Sequence, residues 1–445
     1  MPTNLLYVPT NRPCADQISE LAREALLIGT DGRSCVLALI EHSDAPWVDQ
    51  HRKTLAEQRK SQGVKVIHLT AGVAGNFLRT VINRLDLPSA DSNRLLALLN
   101  PDELAYGAGP NKAALLAAAL GCDTLHRRDS DVRVDEWSTG KAYPCVPELQ
   151  ALGRKIADLG LTLQPNGARN PDPSKTVNFV GTSSFGNSPH DRRDLLLAGE
   201  HFLVELELLA APDESPDHLL EELRQYLTVD PGIRYTTDFA ELDLTARTVM
   251  LSCAMKDVFL ELPEMPIHRT LGTDYLRRNL LRNLHYPIIF HSRKVHHRYD
   301  DDRAKQVNPS AVNDYAQRDL RHLILWPILT RHHETLRRAP NSFLTPDGKL
   351  NSEQYAANLL DVLEDVVPVI KELPERFVSI YRAAARTVGD KQVAARLYGV
   401  ADAVEAGPDY VGEVAQGVED YCFLVRHWRA LIESAATLDT KDLYV

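Results

Sequence analysis

Three runs near the start of the chain, Leu5 to Val8, Ser34 to Ile40 and Val64 to Leu69, have strand length and are apolar without alternation. A strand that is apolar on both faces must be covered on both, and this separates a parallel sheet inside an α/β layer structure from a half-exposed antiparallel one. The intervening segments have the right periodicity for the cover. Ile18, Leu21, Ala22, Ala25 and Leu26 recur at helical spacing, and Trp47 to Gln62 reads as a second helix. The N-terminal region is therefore expected to be α/β with a parallel sheet.

In such a sheet, ligands bind beyond the carboxyl ends of the strands. Thr10-Asn11-Arg12 follows the first run and Glu41-His42-Ser43-Asp44 follows the second. Asn111 to Leu120 is a strong helix by propensity, stopped at Gly121. Asp123-Thr124-Leu125 then leads into His126-Arg127-Arg128-Asp129-Ser130-Asp131, which places an Asp-x-Asp at a strand end. Two carboxylates spaced by one residue there point the same way and suit a hard divalent cation. So short a pattern is weak by itself, and its position gives it weight.

From Pro309 onward, long helical patterns (Val312 to Thr335, Ser352 to Glu372, Pro374 to Thr387, Val411 to Ala436) replace strands. The expected division is an α/β domain over 1–305 and an all-helical domain over 306–445, with the boundary in the charged stretch Tyr299 to Pro309. A chain of 445 residues is too long for one small core. Its apolar stretches fall short of the roughly 20 residues a membrane span needs. No basic head with an apolar run opens the sequence, so a cytoplasmic protein is expected. Six cysteines without CxxC or CxxH spacing read as reduced structural thiols. A net charge of −11 argues against sequence-independent nucleic-acid binding, although the local pair Arg127-Arg128 suits a diphosphate.

The order VPTNRP after the first strand, an acidic tail on the second (Glu41, Asp44), Gly109-Pro110-Asn111-Lys112 at a helix start, and RRDSDV resembles the GT-A glycosyltransferases. That resemblance implies a Rossmann-like nucleotide-diphospho-sugar transferase domain. It implies nucleotide contacts from Thr10 and Arg12, a base or ribose contact from Glu41, and a sugar-diphosphate contact from Asn111 and Lys112. The same resemblance implies positive charge at the phosphates from Arg127, sugar and metal contacts from Asp129, and a Mn²⁺ or Mg²⁺ contact from Asp131. Phe179 to Gly186 looks like the acceptor-side segment, and Asp274, before the helix Leu276 to Leu284, stands where inverting members keep a general base. One of His296 or His297, after the strand Tyr286 to Phe290, stands where many members keep a third metal ligand. The second loop, EHSDAP, departs from the family's Asp-rich pattern and leaves the donor base open.

The implied activity is transfer of a sugar from a nucleotide diphosphate donor to a small-molecule or peptide acceptor. The helical domain would build the acceptor site or a homodimer contact. Each residue has a plainer reading. Asp129 and Asp131 can pair with Arg127, Arg128 and Arg133, Asp274 suits a helix N-cap, and His296 and His297 suit a polar loop. Two other functions stand beside the first: a nucleotidyltransferase, whose glycine-rich first loop VPTNRP lacks, and a degenerate binding scaffold.

Overall fold

The computed structural model describes the chain apart from residues 1–2, 31, 135, 138–139, 160–172, 183, 187–191, 213, 228–238, 242–248, 285, 292, 294, 299–308 and 445. The expected domain boundary and the acidic run Asp300 to Asp302 lie outside the described residues.

The strands β1 (Thr3–Thr10), β2 (Ser34–Glu41), β3 (Lys65–Leu69) and β4 (Thr124–Arg128) lie side by side in parallel. They are followed by β5 (Val132–Val134), β6 (Glu136–Trp137), β7 (Gly140–Lys141), β8 (Phe179–Thr182) and β9 (Ser184–Gly186). Then come β10 (Phe239–Glu241), β11 (Val249–Lys256), β12 (Ile288–His291) and β13 (Val295–His297). The central sheet has the order β10-β12-β8-β11-β4-β1-β2-β3 and is mostly parallel, with β10 and β11 running against their neighbours. A second sheet, β5-β13-β9, sits at the carboxyl end of β4. The expected α/β class with a parallel sheet is what the chain forms.

The continuous apolar runs are buried as two-sided coverage requires, with Leu5, Leu6, Val8, Leu37 and Leu39 at 0 to 1% exposure. Helices Ala15–Ile28 and Ala45–Gln62 cover one face, in a cluster with Leu6, Leu37 and Leu39. On the other face lies helix Ala108–Ala119, of which Ala113 to Ala117 are at 0%. Its run of alanines has no side chain beyond Cβ, so the sheet can approach from one side and another helix from the other. That second helix is Tyr410–Ala435, whose Leu424, Trp428 and Leu431 join the cluster of Leu5, Tyr7 and Val36.

The C-terminal helices match the periodic segments closely: Pro309–Arg338, Ser352–Ile370, Leu373–Thr387 and Tyr410–Ala435, with Lys391–Glu405 in addition. Their apolar stripe packs against Leu206, Leu209, Leu276 and Leu280 from the preceding segment, so the core is continuous across 305/306. The C-terminal segment also reaches the sheet edge, where Tyr444 bridges Ile67 of β3. All six cysteines are buried and unbridged, and no described helix is long and apolar enough to cross a membrane.

Trp428 is fully buried and its indole Nε1–H donates to Phe259 O at 3.2 Å. Trp428→Ala is expected to lower the unfolding free energy by about 3–5 kcal/mol, read from urea denaturation, because the cavity would open between the last helix and the sheet layer. A loss below about 1 kcal/mol would mean that this helix is not part of the same cooperative core.

Candidate functional site

A cavity of about 370 Å³ opens at the carboxyl edge of β1, β2 and β4. Thr10, Arg12, Glu41, Lys112, Arg127, Asp129, Asp131 and His297 all line it. Asn111, Asp274 and His296 do not. Eight of the residues singled out from sequence therefore meet at one place, although they come from five separate segments.

Strand β4 explains much of the geometry. Its five residues, TLHRR, are all buried, and successive side chains point to opposite faces. Arg128 goes to the face away from the cavity, where it donates to Glu24 at 2.7 Å and Glu148 at 2.8 Å. His126 Nδ1 joins the same Glu148 at 2.8 Å. Burial opposes ionisation of Glu148, but Arg128 and His126 hold its carboxyl at about 2. The basic pair is thus split, and only Arg127 is placed to meet a ligand.

Arg127 faces the cavity between two carboxylates. Its Nε donates to Asp129 at 2.7 Å and its Nη2 to Asp274 at 2.6 Å, while Nη1 is buried without a hydrogen-bond partner. Asp274 sits in the 3-10 turn Thr273–Tyr275, behind Arg127 as seen from the cavity wall. Burial lifts the Asp129 carboxyl to about 6, with Arg127 pulling down and Asp131 and Asp274 pushing up.

The Asp-x-Asp turn is fixed by its backbone. Asp129 N–H donates to Leu251 O at 2.9 Å, Val132 N–H to Asp129 O at 3.1 Å, and Arg298 N–H to Asp131 O at 2.8 Å. The last bond and the pairing of His297 with Val132 bring β13 over the turn. His297 Nε2 then lies 3.6 Å from Asp131 Oδ2, which also accepts from Arg12 Nη1. His296 pairs opposite Arg133 and stays off the cavity wall, so the strand's alternation separates the two histidines.

Two of the expected nucleotide contacts are engaged elsewhere. The Glu41 carboxylate accepts from His51 Nδ1 at 2.8 Å, His68 Nε2 at 3.0 Å and Ser43 N–H at 3.2 Å. The Cys14 amide donates to His51 Nε2 at 3.0 Å, which fixes the proton on Nδ1. Asn111 clamps the backbone of Glu264 through two bonds of 2.7 Å and accepts from Arg277 at 3.1 Å. Gly107 is required beside it, because a Cβ there would lie 2.3 Å from Met265 O. Lys112 fits its expected place better: it is 3% exposed, its Nζ donates to Asn100 at 2.9 Å, and burial lowers it to about 8.

The far wall comes from outside the α/β region. Asp314, Tyr315 and Arg318 of helix Pro309–Arg338 line the cavity with Tyr106 and Leu271. The sequence sets Arg318 among the arginines of a helix surface, with Arg321 and His322 as residues able to face a partner or acceptor. The i+4 spacing of Arg318 from Asp314 was the available signal, and nothing in the pattern says which helix face meets the sheet.

The result is an α/β protein whose polar cavity opens at the carboxyl edge of a mostly parallel sheet, an arrangement compatible with Rossmann-like domains. Residues 4–443 match a family model described as a family of unknown function, DUF6271, and the chain belongs to that family. No curated protein matches the chain.

Burial alone would raise the Glu41 carboxyl, but the bonds from His51, His68 and Ser43 hold it at about 2. A depressed carboxyl contributes stability that is complete above the unfolded value of 4.5 and disappears as pH falls through the folded one. Relative to Glu41→Gln, the wild-type chain should lose on the order of 3 kcal/mol of unfolding free energy between pH 5 and pH 2. Denaturant titrations across that range decide it, and parallel curves for the two proteins would refute the role.

Proposed function

We propose that this chain is a glycosyltransferase of the GT-A type, acting in the cytoplasm, that moves a sugar from a nucleotide diphosphate donor to a small-molecule or peptide acceptor. The observation that carries the reading is the convergence of Thr10, Arg12, Lys112, Arg127, Asp129, Asp131 and His297 on one cavity at the carboxyl edge of the sheet. Thr10 and Arg12 hold the nucleotide. Lys112 and Arg127 supply the positive charge at the diphosphate.

The donor atoms suit Mn²⁺ or Mg²⁺ in kind, since Asp131 offers carboxylate oxygen and His297 an imidazole nitrogen. Among the described residues no three His, Cys, Asp or Glu side chains converge as a complete metal site. Asp131 and His297 are the residues that would hold the ion, and it would supply charge neutralisation at the departing diphosphate. Arg12, which pairs with Asp131, would then be free to bind phosphate.

In this reading Asp274 is a positioning residue. Its carboxylate touches Arg127 and lies off the cavity wall, so it aims the guanidinium and leaves proton removal from the acceptor to another group. That favours the orienting role over the general base.

Incubation with a panel of sugar nucleotides and Mn²⁺ should release free nucleoside diphosphate slowly, and Asp131→Ala should cut the rate by about 100-fold or more. Pyrophosphate exchange with a nucleoside triphosphate would instead identify a nucleotidyltransferase, and metal-dependent nucleotide binding without turnover a scaffold. Absence of any nucleotide binding would sink every version of the proposal.

Asp274→Asn is expected to weaken nucleoside diphosphate binding by about tenfold in calorimetric titration, because it uncouples Arg127 from its support. Intact binding with turnover alone lost would restore the general-base role.

A further inference from the structure

The helical wall of the cavity carries a charge arrangement that the donor reading does not use. Asp314 is shared by two arginines, with Oδ1 accepting from Arg269 Nη2 and Oδ2 from Arg318 Nη2. Arg318 also donates from Nη1 to the Tyr106 hydroxyl at 3.1 Å, and its Nε is buried with no hydrogen-bond partner. Two guanidinium groups thus share one carboxylate, and Asp314 and Arg318 of this cluster line the cavity.

The backbone supports this arrangement. Arg269 adopts φ +48°, a left-handed conformation uncommon for a residue with a side chain. Its N–H donates to Leu104 O at 2.8 Å, which ties the loop to the cavity-lining segment. Asp314 and Arg318 are one helical turn apart and so share a face, and both line the cavity. The Asp314 carboxylate fills the place an oxyanion would take between the two guanidiniums. The Arg269 and Arg318 side chains are partly solvent-exposed, at 38% and 22%, and Arg318 lines the cavity.

We infer that the Arg269–Asp314–Arg318 cluster is a recognition site for an oxyanion, a carboxylate or a phosphomonoester, carried by the acceptor. The group binds between the guanidiniums by charge-assisted hydrogen bonds and displaces the Asp314 carboxylate. Planar guanidiniums fit either anion in two-point contact, and the orphan Nε of Arg318 gains a partner in the exchange. The inference rests on the transferase reading only in naming the carrier as the acceptor. Anion binding at this wall is a separate quantity from nucleotide binding at Asp131.

Ligand-observed NMR titration of the full chain tests it, with N-acetyl amino acids, their methyl esters and simple phosphomonoesters as probes. The wild-type protein should bind at least one of the two anionic classes about tenfold more tightly than the neutral esters, and Arg318→Gln should erase the preference. Asp314→Asn should strengthen anion binding, because it removes the internal competitor while keeping the shape. A purely structural ion pair would be weakened by both changes, so the opposite signs are diagnostic. Arg429→Gln, an exposed arginine on the last helix, serves as the charge control.

Preference for the N-acetyl amino acids identifies a carboxylate, and preference for the phosphomonoesters identifies a phosphate. Equal binding of acids and esters, no binding of either anion, or a preference that survives Arg318→Gln would overturn the inference. If anions bind here while nucleotides fail to bind at all, the transferase reading falls and the anion site stands.

Discussion

The structure turns on two adjacent guanidinium groups buried in one strand. Arg127 and Arg128 of β4 face opposite sides of the sheet, and each needs carboxylates, because an unpaired charge at such depth would cost several kcal/mol. Arg128 takes Glu24 and Glu148, which lie on helices Ala15–Ile28 and Cys145–Ala151. Arg127 takes Asp129 from its own strand end and Asp274 from the turn before helix Leu276–Asn283. One strand therefore pins a helix layer on one side and the chemically interesting edge on the other.

This requirement shapes the cavity. Arg127 can support Asp129 only where the chain turns sharply after β4, and the bonds from Asp129 N–H to Leu251 and from Arg298 N–H to Asp131 hold that turn. The second of these brings His297 within 3.6 Å of Asp131. Helix Ala108–Ala119 delivers Lys112 from the other direction, and its start can come close to β1 because Gly109 would place a Cβ only 3.1 Å from Pro9 Cβ.

The layer structure was legible because it depends on a short-range signal. Two-sided apolar runs such as Ser34 to Ile40 can only be interior strands, and Asn111 to Leu120 can only be a helix, so both were readable from local pattern. The carboxyl-edge rule then located Thr10, Glu41 and Asp129. What local pattern does not encode is where the free valence of a polar side chain goes. Glu41 lines the cavity and Asn111 lies off its wall, and His51, His68 and the Glu264 backbone consume their polar atoms from 10 to 153 residues away. Arg127 and Arg128 look alike in sequence and diverge because β4 is an interior strand, a fact set by β11 on one side and β1 on the other. Arg318 was legible as a residue able to face an acceptor or partner, whereas Asp314 was not, since the core that unites the last helix with the sheet is built from contacts across the whole chain.

Three carboxylates of the cavity already have guanidinium partners before any ligand arrives. Asp131 has Arg12, Asp129 has Arg127, and Asp314 has Arg269 and Arg318. Binding of an anion or a cation is then an exchange of partners within a fixed set, and only the difference between the old and new pairs appears as affinity. At the one-to-one pair of Arg12 with Asp131, a ligand that satisfies one half strands the other. A ligand carrying an anion together with a divalent cation can answer Arg12 and Asp131 at the same time, whereas either ion alone would leave a charge uncompensated. On the proposed transferase reading, a metal-nucleotide complex would match the Arg12–Asp131 pair better than a bare nucleotide or a bare metal, because it alone answers both charges.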